Sequence, residues 1–278
     1  MHEQQPIEQD EFFPRHLLEA CTVTRAIALP GSFLVFLLYW SLAYPSTSGN
    51  VEAVGFFTHG ANVALMTIDV LVSALPFPLY NAWYFVEFGF VYVVFTIIFW
   101  YAGITHPCSC PDGDDFPGCE RNKENANDHC RYIYSALNWA PEKMPRTIGL
   151  LAVLFLVIIP ISMLLCHYFA LCCRPGQVSA HCCVHFRGEF NNEFLRPFPC
   201  GASSNWALLF AQSPLLSDRC YLLVRGILCA AVWAILAWVL ADDGSKWWGI
   251  YLTYWTLAIE AVYMALALSA TIIEQPYL

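Results

Sequence analysis

Ile148-Gly149-Leu150-Leu151-Ala152-Val153-Leu154-Phe155-Leu156-Val157-Ile158-Ile159-Pro160-Ile161-Ser162-Met163-Leu164-Leu165-Cys166-His167-Tyr168-Phe169-Ala170-Leu171-Cys172 contains no Asp, Glu, Lys or Arg. Roughly 20 apolar residues in helical rise cross the hydrocarbon core of a bilayer, so this stretch reads as a transmembrane helix. A kink is expected at Pro160, which membrane helices tolerate. Working outward, comparable apolar blocks run from about Ile27 to Tyr44, Phe56 to Leu75, Ala82 to Ile104, Tyr221 to Ala241 and Trp247 to about Ile273. Pro76-Phe77-Pro78 turns the chain between the second and third blocks, and Asp242-Asp243-Gly244-Ser245-Lys246 turns it between the last two. The reading is an all-α polytopic membrane protein built as a six-transmembrane-helix bundle. Its divisions are a cytosolic N-terminal segment over 1–26, a first transmembrane part over 27–172 with about four spans and a polar loop over 105–146, a Cys-rich linker over 173–219, and a second part over 220–278 with two spans.

Composition excludes the other classes. The chain has 278 residues, of which 58% are hydrophobic and 13% charged, where a soluble domain carries about a quarter charged residues. The apolar excess needs lipid to bury it, which removes a soluble enzyme and a disordered tail from consideration. A net charge of -9 with 13 Lys and Arg leaves no basic stripe for a phosphate backbone, so nucleic acid is not an expected partner. The expected partners are lipids, and beyond them other membrane proteins or a second copy of the chain. No basic segment followed by an apolar run and a small-residue cleavage site opens the sequence, so the first span is expected to act as its own signal-anchor.

Lys and Arg near the span ends give no orientation. With the N-terminus inside, the cytoplasmic side has Arg15, Arg25, Arg174, Arg187, Arg196 and Arg219, and the outside has Arg121, Lys123, Arg131, Lys143, Arg146 and Lys246. Cysteine usage decides instead. Cys108, Cys110, Cys119 and Cys130 lie in a polar loop too poor in apolar residues to form a core, so two disulfides in an oxidising compartment are expected, with the pairing open. Cys166, Cys172, Cys173, Cys182 and Cys183 lie at and beside a membrane exit and read as S-acylation candidates. Both groups favour cytosolic termini, in the plasma membrane or an endomembrane. His181, His185 and the neighbouring cysteines match no standard zinc spacing, so no metal and no cofactor is assigned.

Polar groups inside the spans are functional candidates, because lipid offers them no partner. His59, Asn62, Met66, Asp69 and Ser73 recur at spacings of three and four, which gives one polar stripe along the second span. The stripe serves either interhelical hydrogen bonding or chemistry. Depth, counted at about 1.5 Å per residue, puts His59 and Thr253 near the outer leaflet, and Asp69, Glu260, Glu87 and Arg225 together in the inner half. Arg225 is then expected to form an ion pair with Asp69 or Glu260. Trp83, Trp100, Trp247 and Trp248 read as headgroup-level anchors.

Several stretches resemble the rolling stone family of multipass membrane proteins: Thr58-His59-Gly60-Ala61-Asn62 with Asp69-Val70-Leu71-Val72-Ser73, Tyr92-Val93-Val94-Phe95-Thr96 with Tyr101-Ala102-Gly103, Tyr132-Ile133-Tyr134-Ser135-Ala136-Leu137-Asn138-Trp139, and Lys246-Trp247-Trp248-Gly249-Ile250-Tyr251-Leu252-Thr253-Tyr254-Trp255. The order departs from the family's, since the stretch with Thr253 comes last here and the halves are exchanged. The resemblance implies a role in membrane organisation or cell fusion of the myoblast type, without assigned chemistry. The chain is also similar in size and topology to the androgen-induced family of intramembrane hydrolases, which implies an alternative: a lipid-ester hydrolase with Thr253 as nucleophile, His59 as base, and Asn62 orienting the imidazole or donating to an oxyanion.

Overall fold

The computed structural model describes residues 15–43, 53–73, 77, 79–108, 119–120, 128–172, 213, 215–242 and 248–274. The helices are α1 (Arg15–Leu38), α2 (Ala53–Phe56), α3 (Asn62–Val72), α4 (Ala82–Tyr101), α5 (Met144–Val153), α6 (Ile159–Cys172), α7 (Asp218–Asp242) and α8 (Leu252–Glu274). A π-helical turn over Phe57–Ala61 joins α2 to α3, another over Leu154–Ile158 joins α5 to α6, and a third over Tyr39–Ala43 extends α1. The architecture is that of an all-α polytopic membrane protein. Five rods, over His16–Ser41, Ala82–Tyr101, Met144–Tyr168, Asp218–Ala241 and Leu252–Ile273, are long and apolar enough to cross a membrane. The sixth, Phe57–Val72, is shorter, at a rise of about 24 Å against a hydrocarbon core of about 30 Å. Among the described residues the six expected apolar blocks thus all form helices, five long enough to span and one shorter.

The first span also begins earlier than its apolar block. Helix α1 starts at Arg15 rather than Ile27, and its first turns carry Cys21 and Arg25 into the interior, where Cys21 is inaccessible and Arg25 is 3% exposed. Arg25 therefore leaves the tally of flanking charges, and sidedness rests on the cysteines alone. The π-helical turn at Leu154–Ile158 has a direct cause. Pro160 has no N–H and its ring crowds the carbonyl four residues back, so the helix widens just before it.

The stretch over 105–146 is more structured than a polar loop. Strands β1 (His106–Cys108), β2 (Cys119–Glu120) and β3 (Asp128–Cys130) form an antiparallel sheet in the order β1-β3-β2, with Cys119 opposite Cys130 and Cys108 opposite Asp128. Cys130 is buried and disulfide-bonded. Beyond it Tyr132, Ile133, Trp139 and Ala140 are buried, and Ile133 joins Phe99 and Ile250 in a small apolar cluster at this end of the bundle. The segment is held by hydrogen bonds from Trp139 Nε1 to Thr96 Oγ1 at 3.2 Å and from Thr147 Oγ1 to the Asn138 carbonyl at 2.8 Å. It caps the helices.

Helix α1 is the centre of the bundle. It lies along α8 and also touches α3, α4 and α6, while α8 packs in turn on α7. Apolar side chains gain nothing by leaving lipid for one another, so membrane helices associate where small residues let backbones approach. Gly31 meets this need: a Cβ there would lie 2.8 Å from Thr256 Cγ2 and 3.6 Å from the Phe85 ring. By contrast Phe90, Ile98, Leu156 and Leu165 project outward from α4 and from the α5–α6 rod as the lipid-facing surface.

Overpacking this contact should cost about 1–3 kcal/mol. Gly31→Ala is expected to lower the stability of the purified protein to that extent in denaturant titration. Thr256→Ser, which removes the obstructing methyl, should recover most of the loss in the double variant. Equal stability of Gly31→Ala and the parent would show that the approach is not tight.

Candidate functional site

The interior polar groups fall into two levels, fixed by the register of α3 against α8. Tyr263 O–H donates to Asp69 Oδ2 at 2.6 Å, across a sequence separation of 194. His59 and Thr253, which line one cavity, have that same separation, as helices in parallel register would give. Counted along this register, Glu260 stands level with Met66, one turn nearer the capped end than Asp69.

The lower level is an ionic cluster. Arg225 Nε lies 3.6 Å from Asp69 Oδ1, with the two side chains 1% and 0% exposed. Arg225 Nη1 donates to the Ala267 carbonyl at 2.8 Å and to Thr271 Oγ1 at 3.0 Å, and its guanidinium sits 4.7 Å above the centre of the Tyr221 ring. Of the two acidic partners open to Arg225, the structure places Asp69 against it. Glu260 stands apart: it is fully buried, and neither carboxyl oxygen has a hydrogen-bond partner among the described residues. Glu87 is corrected outright, since it lies on the exposed side of α4 and contributes to no inner polar layer. Arg25 is a second buried base, near Tyr221 and Tyr263. Both Arg25 and His167 escaped sequence reasoning. His167 Nδ1 donates to the Phe77 carbonyl at 2.6 Å, which ties α6 to the turn before α4.

The upper level is a cavity of about 260 Å³ under the cap. Leu34, Val35 and Leu38 of α1, Phe85, Phe88 and Gly89 of α4, and Leu150, Leu154 and Phe155 of the α5–α6 rod give it apolar walls. Its polar groups gather at the capped end: Tyr39, His59, Tyr92, Tyr134 and Thr253. Tyr39 and His59, each in a π-helical turn, have their rings stacked 3.7 Å apart and 8° from parallel. Tyr92 O–H donates to the Ile250 carbonyl at 2.8 Å and accepts from the Leu252 N–H at 3.1 Å, which fixes the start of α8 and hence Thr253. Tyr134 lines the cavity together with Thr253, and burial above all pushes its pKa up to about 12. Tyr134 therefore stays protonated at neutral pH. Tyr39, Tyr92 and Tyr134 were not singled out from the sequence as site residues, since only the fold brings the cap over the helix ends.

Asn62 does not take its expected place. Its amide oxygen and nitrogen have no hydrogen-bond partner among the described residues, so it does not orient the imidazole, and it is absent from the cavity wall. His59 Nδ1 likewise has no hydrogen-bond partner among the described residues. Cys166 is corrected as an acylation candidate, because it is buried in the main apolar cluster. Cys173, Cys182 and Cys183 lie outside the described residues, as do Cys110, His181, His185 and Trp247, and for Cys108, Cys119, Cys172 and Trp248 the backbone alone is described.

Removing one partner of a buried ion pair strands the other charge, at about 3–5 kcal/mol. Arg225→Leu should therefore be strongly destabilising. The double variant Arg225→Leu with Asp69→Asn should unfold at a higher denaturant concentration than Arg225→Leu alone. Additive losses in the double-mutant cycle would show that the two groups do not act as a pair.

Neither a protein-family model, nor a characterised protein, nor a solved structure matches this chain.

Proposed function

We propose that the chain is an intramembrane lipid-ester hydrolase in which Thr253 is the nucleophile and His59 the base. The observation that carries this reading is an apolar cavity that His59, Thr253 and Tyr134 of the cap all line. A threonine hydroxyl is a weak nucleophile until a neighbouring base takes its proton. Transfer of that proton to the imidazole lets Thr253 Oγ1 bond to the ester carbonyl carbon. The substrate's alcohol leaves with the proton returned by the imidazolium, and the acyl group stays on Thr253 as an ester. Water, deprotonated by the same imidazole, then attacks the acyl carbon, and Thr253 departs with its proton restored. Charge develops on the carbonyl oxygen in both steps, and the protonated Tyr134 hydroxyl is the neutral donor beside it.

A purely structural role in membrane organisation, as the rolling stone resemblance implies, calls for a polar stripe that is closed by hydrogen bonds. The stripe is engaged at Asp69 by Tyr263 and Arg225. Among the described residues it is open to hydrogen bonding at His59 Nδ1 and Asn62, and also at Asp69 Oδ1, Ser73 Oγ and both oxygens of Glu260. A stripe with this many open positions is not the closed one that a purely structural role calls for, and of these residues His59 lines the cavity.

The proposal is tested on purified protein with chromogenic carboxylic esters and a fluorophosphonate label. The parent should hydrolyse the esters and take the label, and Thr253→Ala and His59→Ala should each lose at least a hundredfold in rate. Ester turnover undiminished in Thr253→Ala would end the assignment.

We further propose cytosolic termini, with the cap on the opposite side, on the strength of the disulfide at Cys130 and the preference of disulfides for oxidising compartments. Single cysteines introduced into a cysteine-free variant should be labelled by an impermeant maleimide outside intact cells at Lys143 but not at His16. The reverse pattern means the inverted orientation.

A further inference from the structure

The shape and charge of the cavity specify its ligand more closely, on the basis of the hydrolase reading above. Its wall on the α5–α6 rod runs from Leu150 to Ile159, a rise of about 13 Å. An extended covalent chain advances about 1.2 Å per bond, so a straight acyl chain of roughly ten carbons matches that depth. Volume leads to a similar length: a cavity of about 150 Å³ takes up benzene, and one of about 260 Å³ has room for nearly twice as many carbons.

Charge selects the head. Among the described residues, no Asp, Glu, Lys or Arg lines the cavity. An ionised carboxylate entering this space has no cation to meet and loses its hydration, whereas a neutral ester loses little and gains the Tyr134 hydroxyl as donor. The same difference clears the site after reaction, because the acid product ionises and is expelled.

One residue sets the width of the chain's path. Gly89 lines the cavity midway along α4, and a Cβ there would lie 3.3 Å from Phe155 Cζ and 3.9 Å from Ile159 Cδ1. A larger side chain at 89 either moves the Phe155 ring or occupies the chain's space. We infer that the cavity takes neutral esters of medium-length, unbranched acyl chains of about eight to twelve carbons, excludes the free acids, and has Gly89 and Phe155 as its length-determining residues.

The experiment has two arms, both on the full chain in detergent. The first measures kcat/KM for p-nitrophenyl esters of four to sixteen carbons. The parent is expected to peak between eight and twelve carbons and to fall at least tenfold at sixteen. Gly89→Val should move the peak to six carbons or fewer, and Phe155→Ala should raise the rate on the sixteen-carbon ester relative to the ten-carbon one. The second arm needs no catalysis and follows the thermal unfolding midpoint with straight-chain methyl ketones and with fatty-acid salts at pH 8. Ketones of about ten carbons should raise the midpoint of the parent and of Thr253→Ala, and decanoate should not. Should Gly89→Val fail to fold, Phe155→Ala and the milder Gly89→Ala carry the same comparison. Ketone stabilisation with the expected length dependence, but without ester turnover, would keep this ligand assignment and remove the hydrolase. Turnover with a length profile that Gly89→Val and Phe155→Ala leave unchanged would overturn the ligand assignment while the hydrolase stands. Stabilisation by decanoate equal to that by the ketone would overturn the charge argument.

Discussion

The approach of α1 to α8 at Gly31 and Thr256 is the contact on which the other helices depend. Lipid removes the hydrophobic drive that assembles a soluble core, so a bundle must be held by close backbone approach and by hydrogen bonds between helices. Gly31 supplies the approach, with the Thr256 methyl in the space its Cβ would take. Because α1 also touches α3, α4 and α6, a helix displaced from this contact would move every other wall. The cavity starts there: Gly31 and Thr256 are both part of its lining.

From that contact the interior divides by charge. Toward one end Arg225, Asp69 and Tyr263 form a cluster in which the carboxylate and the guanidinium share a fixed partner set. Such a pair does little for stability relative to a packed apolar alternative, but it is costly to break, so it fixes the register of α3, α7 and α8. Toward the other end no Asp, Glu, Lys or Arg among the described residues lines the cavity, and the hydroxyl and imidazole groups surround empty space. Parallel register between α3 and α8 links the two ends. The bond that sets Asp69 against Tyr263 also sets His59 level with Thr253.

Local departures from regular helix aim the site. Phe57–Ala61 and Tyr39–Ala43 are π-helical turns, and each adds a residue to its turn, rotating the side chains beyond it. His59 and Tyr39 lie within these two turns and meet face to face. The cap does the rest, since Tyr134 comes from a segment fixed by Trp139, Asn138 and Thr147 rather than from a membrane helix.

The sequence by itself determined the solvent and the class of fold. A 25-residue run without Asp, Glu, Lys or Arg at Ile148–Cys172 has no stable state in water, and in lipid the backbone must close its hydrogen bonds within a helix. The spacing of His59, Asn62 and Asp69 was equally legible, because helical periodicity is a local property. Which of these groups meet was not. Depth counting kept Asp69 and Glu260 as equal partners for Arg225 and placed Glu87 beside them, since position along a helix says nothing of the direction a side chain points. Rotation about each helix axis is set by packing against neighbours. That packing turned Glu87 outward, left Glu260 without a hydrogen-bond partner among the described residues, buried Cys166, and drew Arg15 to Ala26 into the first helix. The cap was hidden for the same reason: Tyr132 to Ala140 looks like loop until helix ends offer an apolar surface to cover.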